Sequence, residues 1–257
     1  MTIYAYEITS DKHLADGPLH HRLLKAYYAS IPYVKGDLLE IGCGEGRGIE
    51  LLSPLVNSYT AIDKISEIED GIRQKYPKIQ FLNMNVPPFT GVADNSFDTI
   101  VTFQVIEHIQ EDKEFLKEIY RVLRPGGRAI LSTPNLDWSL TRNPWHVREY
   151  TARQFEELCS SIFPEVVPLG INGNDKIWKY YEENKRSVAK YKRLDIFGLE
   201  KRLPTSILRI PYDILNRMNR NQLKSSNENL VTNIGQDDYF VSENAEKCFD
   251  LFYILKK

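Results

Sequence analysis

Between residues 36 and 133, short apolar runs alternate with amphipathic stretches, and this alternation constrains the chain more than any other feature. Neighbouring parallel strands need a long crossover between them, and a helix is the usual one. The pattern therefore predicts βα units laid side by side in a parallel sheet. Asp37–Ile41, Ser58–Ile62, Ile79–Leu82, Thr99–Phe103 and Ala129–Thr133 are the strand candidates. Helical segments are expected near Arg47–Leu55, Ser66–Lys75 and Asp112–Leu123, with a further helix ahead of the sheet at Leu19–Ala29. The helix before the fifth strand meets Arg124-Pro125-Gly126-Gly127, where proline and glycine are expected to stop it and turn the chain.

The pattern changes after Thr133. Thr151 stands where it would cap a helix beginning Ala-Arg-Gln-Phe, Val166–Leu169 reads as a strand, and Phe249–Leu255 reads as a final one. Between these two lies a segment of different composition. From Lys176 to Lys224 there are 13 basic and 5 acidic residues, a net of +8, although the whole 257-residue chain has 33 basic against 35 acidic and a net of −2. A balance so close to neutral gives no electrostatic case for a nucleic-acid partner.

Cys43, Cys159 and Cys248 are far apart and match no zinc spacing, so no metal is expected and reduced thiols are the simple reading. The beginning, MTIYAYEITSD, lacks the basic and apolar regions of a signal peptide, and no stretch is apolar for long enough to span a bilayer. A cytoplasmic location is the expectation.

Leu38-Leu-Glu-Ile-Gly-Cys-Gly-Glu-Gly46 is a buried strand running into a glycine turn and then a helix. Glycine there lets the backbone take a left-handed conformation and approach a ligand closely, and a following helix start offers free N–H groups. Asp63 follows Gly44 by 19 residues, at the end of the second strand, where a carboxylate can hold ribose hydroxyls. With Glu40 ahead of the turn and no lysine or arginine placed for a pyrophosphate, the cleft suits a positively charged nucleoside better than a dinucleotide.

These residues, followed by Ser96–Ile109 (SFDTIVTFQVIEHI) and Leu123–Asn135 (LRPGGRAILSTPN), resemble the class I S-adenosylmethionine (SAM)-dependent methyltransferases in order and spacing. The likeness is strongest to a small-molecule and glycan branch that includes the ubiquinone-pathway O-methyltransferases. The resemblance implies an α/β, Rossmann-like, seven-stranded, mostly parallel sheet with helices on both faces. It places the final strand antiparallel beside the fifth and makes the basic segment a mainly helical cap. Residues 1–171 would form the SAM-binding core with its N-terminal helix, 172–247 the cap and 248–257 the last core strand.

The cofactor implied is S-adenosyl-L-methionine. By resemblance, Glu40 would sit near its methionine end, with Gly42, Cys43, Gly44 and Gly46 forming the loop and Asp63 and Lys64 beside the ribose. Asn85, where the family usually has aspartate, would face the adenine with Val86. Phe103 and Gln104 would close the pocket, and Arg22 would hold the methionine carboxylate.

Methyl transfer from a sulfonium asks mainly for alignment, with a base needed only if the acceptor must lose a proton. Asn143-Pro-Trp-His-Val-Arg-Glu-Tyr150 follows the fifth strand, at the cleft mouth in such folds. His146 is the candidate base, and His146, Arg148 and Tyr150 are the candidate acceptor contacts. The other reading of this run is a braced loop, through an Arg148–Glu149 pair.

The basic segment has three readings: a lid, a surface for an anionic acceptor, or a weak membrane contact through Ile207, Leu208, Pro211, Ile214, Leu215 and Met218. Trp178, Tyr180, Tyr181 and Tyr191 would suit ring stacking or a lid core. The function implied is methyl transfer, at oxygen, to a small-molecule, glycan or lipid-linked acceptor. The alternative is a non-catalytic SAM- or nucleotide-binding protein that uses the basic segment as an interaction surface.

Overall fold

The computed structural model describes residues 14–193 and 203–257. Its strands are β1 (Asp37–Ile41), β2 (Ser58–Asp63), β3 (Gln80–Asn83), β4 (Phe97–Phe103), β5 (Leu123–Pro134), β6 (Glu165–Gly173), β7 (Tyr239–Ser242) and β8 (Asp250–Lys256). They form one mixed sheet in the order β3-β2-β1-β4-β5-β8-β6-β7. The pairs from β3 through β5 are parallel, whereas β8 runs antiparallel to both β5 and β6, and β7 antiparallel to β6. The expected place of the final strand beside the fifth is therefore occupied by β8.

One expectation is corrected: the sheet has eight strands, because the segment read as a helical cap sends β7 back to extend the sheet beyond β6. Two smaller corrections concern turns. Arg124-Pro125-Gly126-Gly127 lies within β5, where Gly126 takes φ +76° and the pairing with β4 shifts register after Phe97. The helix after the glycine loop is a single turn, Ile49–Leu52, because Pro54 disfavours further α-helix.

The helices are α1 (Gly17–Ser30), α2 (Ile49–Leu52), α3 (Glu69–Lys75), α4 (Asp112–Val122), α5 (Ala152–Ser160), α6 (Asp175–Lys192), α7 (Thr205–Ser226) and α8 (Glu228–Thr232). Strand β1 is buried on both faces, with Leu38 and Leu39 fully covered, as a central parallel strand requires. Helix α4 packs Phe115, Leu116, Ile119 and Val122 on one side of the sheet. Thr151 caps α5 as expected: its side chain accepts from Gln154 N–H, and the Gln154 side chain returns a bond to the Thr151 backbone.

Helix α6 is fastened to the sheet by aromatic rings. Trp178 lies 4.9 Å from Trp138 and 4.8 Å from Phe249, and Tyr181 lies 5.4 Å from Phe249. These rings thus serve as core. The Tyr191 side chain lies outside what is described. Helix α7 is tied to the N-terminal region at Asp16, which is buried and accepts from Arg217 at 3.0 Å and Arg220 at 2.8 Å. Among the described residues, no helix is long and apolar enough to cross a membrane.

Candidate functional site

Beyond the carboxyl end of β1 the chain folds over the end of β2, with Gly42 N–H and Cys43 N–H both donating to the Ile62 carbonyl, at 2.8 and 3.3 Å. Gly42 takes φ +77°, and a Cβ there would stand 2.3 Å from a methyl of Val105, so only glycine fits. Cys43 is buried, and burial pushes its thiol up, away from reactivity. Asp63, at the end of β2, accepts from Gly44 N–H at 2.8 Å and from Ile65 N–H at 3.0 Å. Burial raises its carboxyl and these N–H groups pull it back, leaving it above the usual value. Each oxygen keeps a further lone pair, which suits two neighbouring hydroxyls.

Glu40 stands at the end of β1, one residue before its last. It is buried behind the loop, accepting from Tyr27 at 2.8 Å and Tyr59 at 2.6 Å, and braces β1 from inside the core. Lys64 and Asn85 are exposed beyond the ends of β2 and β3, and Val86 is half-buried. Asn83, which sequence reasoning passed over, is the asparagine joined to this region, donating to the Asp63 carbonyl at 3.1 Å. Phe103 is buried edge-on to Tyr27, 4.8 Å between rings, and Gln104 takes a left-handed φ of +59° as it leaves β4. Arg22 reaches across from α1, with Nε 3.1 Å from Oδ2 of buried Asp250. Among the described residues, Arg22 Nε and the Asp250 carboxylate have no hydrogen bond of good geometry, so the two face each other as an ion pair.

A second cluster occupies the same edge of the sheet, past β4 and β5. His146 Nδ1 lies 2.6 Å from Glu149 Oε1, and Nε2 lies 2.8 Å from Asn143 Nδ2. Asn143 Oδ1 accepts the Trp145 N–H at 3.0 Å, which turns the amide NH₂ toward the ring. His146 Nε2 must then accept, and Nδ1 carries the proton that Glu149 receives; this network assigns the tautomer. Glu149 also accepts from the Ser139 hydroxyl. Burial raises its carboxyl, but the bonds from His146 and Ser139 outweigh that and hold it below the usual value.

Glu107, in the turn after β4, was not singled out in the sequence. It is fully buried, with Oε2 accepting from Thr133 at 2.9 Å and Oε1 without a hydrogen-bond partner among the described residues. Burial pushes its carboxyl up to about 7, against the pull of His146. His108 Nδ1 donates to the Trp145 carbonyl at 3.0 Å, and its ring meets that of His146 edge-on at 5.0 Å. One ligand atom each from Glu107, His108 and His146 lies within 4.8 Å of the others, a juxtaposition the cysteine arithmetic had no means of finding.

Arg148 and Tyr150 share one partner. Both reach Asp112 at the start of α4, the tyrosine hydroxyl at 2.8 Å, and Tyr150 is buried. Tyr150 is thereby turned into the core, whereas the Arg148 side chain stays about half exposed. The brace suspected in this run thus exists, but it joins Arg148 to Asp112 and leaves Glu149 to His146.

Residues 39–131 match the methyltransferase domain family. A probable S-adenosylmethionine-dependent methyltransferase of Mycolicibacterium smegmatis is 37% identical over 135 residues, covering 51% of this chain and 52% of that protein. A ubiquinone biosynthesis O-methyltransferase of Caulobacter vibrioides is 34% identical over 112 residues, covering 42% and 44%. The chain thus spans about half the length of the curated relatives it matches. In fold it is similar to a SAM-dependent methyltransferase, possibly a histamine N-methyltransferase, from Thermotoga maritima, with a TM-score of 0.56, 15% identity and coverage of 93% and 92%. A SAM-dependent methyltransferase from Mesorhizobium loti superposes with a TM-score of 0.52, 12% identity and coverage of 90% and 96%. The loop N–H groups, the doubly bonded Asp63 and the Arg22 cation make a donor set that fits an amino-acid-bearing nucleoside, which S-adenosylmethionine is. Through residues 39–131 the chain matches the methyltransferase domain family, and over about half its length it resembles SAM-dependent methyltransferases, ubiquinone-pathway enzymes among them.

Proposed function

We propose that this protein transfers the methyl group of SAM to a hydroxyl of a small-molecule, glycan or lipid-linked acceptor. The observation that carries the reading is His146, held as the Nδ1–H tautomer between Asn143 and Glu149, with Nε2 bearing the lone pair. When bound, SAM supplies a methyl group on a positively charged sulfur. Asp63 and the Gly42–Gly46 loop orient the nucleoside, and the His146 loop presents the acceptor. His146 Nε2 takes the hydroxyl proton as the acceptor displaces the Asn143 amide, and the imidazolium that results is stabilised by Glu149. The oxygen acceptor is supported by the name of the Caulobacter relative. An acceptor bearing phosphate or carboxylate would suit the +8 segment. Three buried free cysteines favour a reducing, cytoplasmic setting.

The test is a labelled-methyl assay against phenolic, glycan and lipid-linked acceptors. His146→Ala should cut turnover by ~10²–10⁴ while leaving SAM affinity unchanged. Full turnover in that variant would leave alignment alone to drive transfer and remove the base.

A further inference from the structure

The last strand opens on a buried acid that the proposed reaction does not use. Asp250, the first residue of β8, is 1% exposed, yet among the described residues neither carboxylate oxygen has a hydrogen bond of good geometry. Buried carboxylates are ordinarily bonded, because an unbonded one keeps the cost of leaving water. Burial raises its carboxyl, as expected of an acid short of partners. The cation facing it is Arg22, whose Nε lies 3.1 Å from Oδ2 and likewise lacks a bond of good geometry. Glu149 and Glu107 both add negative charge near Asp250, so the neighbourhood favours a further positive group.

Asp250 stands at the same edge of the sheet as the glycine loop. It pairs with Pro134 at the end of β5, and Phe252, two residues on and so on the same face, lies 6.3 Å from Phe103 at the end of β4. Helix α1 covers this face, with Arg22 beside Asp250 and Tyr27 against Phe103. From the turn after β4 the Gln104 amide favours the charged form of Asp250, and the next residue, Val105, packs against Gly42. One short turn therefore joins Asp250 to the loop. We propose that Asp250 receives the α-ammonium of the methionine part of SAM while Arg22 receives the carboxylate. Both groups of an amino acid are borne by one carbon, so a carboxylate drawn to Arg22 brings its ammonium beside the acid that faces Arg22. The ammonium gives Asp250 the charge-assisted bonds that the chain leaves unmade. A purely structural clamp between α1 and β8 would gain more from aligned bonds or from an apolar pair. This role rests on the SAM reading of the glycine loop and Asp63.

The test is calorimetric titration of the full chain with S-adenosylhomocysteine, with its analogue bearing hydrogen in place of the amino group, and with methylthioadenosine, which lacks the amino acid altogether. The native chain is expected to bind S-adenosylhomocysteine roughly ten- to hundredfold more tightly than the deaminated analogue. Asp250→Asn should remove that preference and leave the affinity for methylthioadenosine as it was, which shows that the variant is folded. Equal native affinity for S-adenosylhomocysteine and the deaminated analogue overturns the proposal, whether or not the variant folds. So does a folded variant that keeps the full preference. If methylthioadenosine fails to bind the native chain, the SAM reading itself falls and takes the role of Asp250 with it. Nucleoside binding without a preference for the amine refutes Asp250 alone.

Discussion

When Asp63 is removed, the loss extends beyond a ligand contact, because Gly44 and Ile65 also lose the acceptor of their N–H groups. Asp63→Ala should weaken SAM by on the order of 1.5–3 kcal/mol, roughly 10- to 150-fold, in a calorimetric titration. Glu149→Gln should spare that affinity but lower turnover, because a neutral amide cannot stabilise the imidazolium; equal turnover would show that His146 never becomes charged. The glycine turn and the position of Asp63 at the end of β2 were legible in the sequence because both follow from the strand–turn pattern of the backbone. The places of Glu107 and Glu149 were not, since both gather at the His146 ring, and no spacing shows which way that ring turns. The bonds of Arg148 and Tyr150 to Asp112 were not legible for the same reason, since that partner lies across the fold.

Among the elements, the central strands were readable because burial on both faces demands unbroken apolar runs, as in Leu38-Leu39 of β1. Strand β7 escaped because it has four residues at a sheet edge, with Phe240 and Val241 both exposed and no alternation to betray it. Helix α5 declared its start through Thr151 and Gln154, and that capping box carries measurable stability. Thr151→Ala should destabilise the protein by about 1 kcal/mol in urea denaturation, and Thr151→Ser by much less. Helix α6 depends on rings rather than caps: with Trp178 packed between Trp138 and Phe249, Trp178→Ala should cost about 3–5 kcal/mol. A loss below 1 kcal/mol would mean that the cap is not cooperative with the sheet.

At the scale of the molecule, buried carboxyls tie stability to pH. Glu107 keeps its proton up to about pH 7 in the folded chain, against an ordinary value of 4.5 when unfolded. Across that window the native state binds more protons, so this group's contribution to stability falls as pH rises and is level on either side. Asp63 and Asp250, also raised by burial, tilt the same way. Glu107→Gln should flatten the decline in urea midpoint between pH 5 and pH 8, and an unchanged slope would place the carboxyl in a more polar setting than the structure does. The position of β8, made last of the eight strands yet seated between β5 and β6, has its own consequence. On the ribosome β1 to β5 can assemble as they emerge, but β6 and β7 have no edge to join until residues 250–256 appear. The nascent chain therefore waits with the flank of β5 uncovered, so slow translation late in the message should prolong its exposure to chaperones and to aggregation.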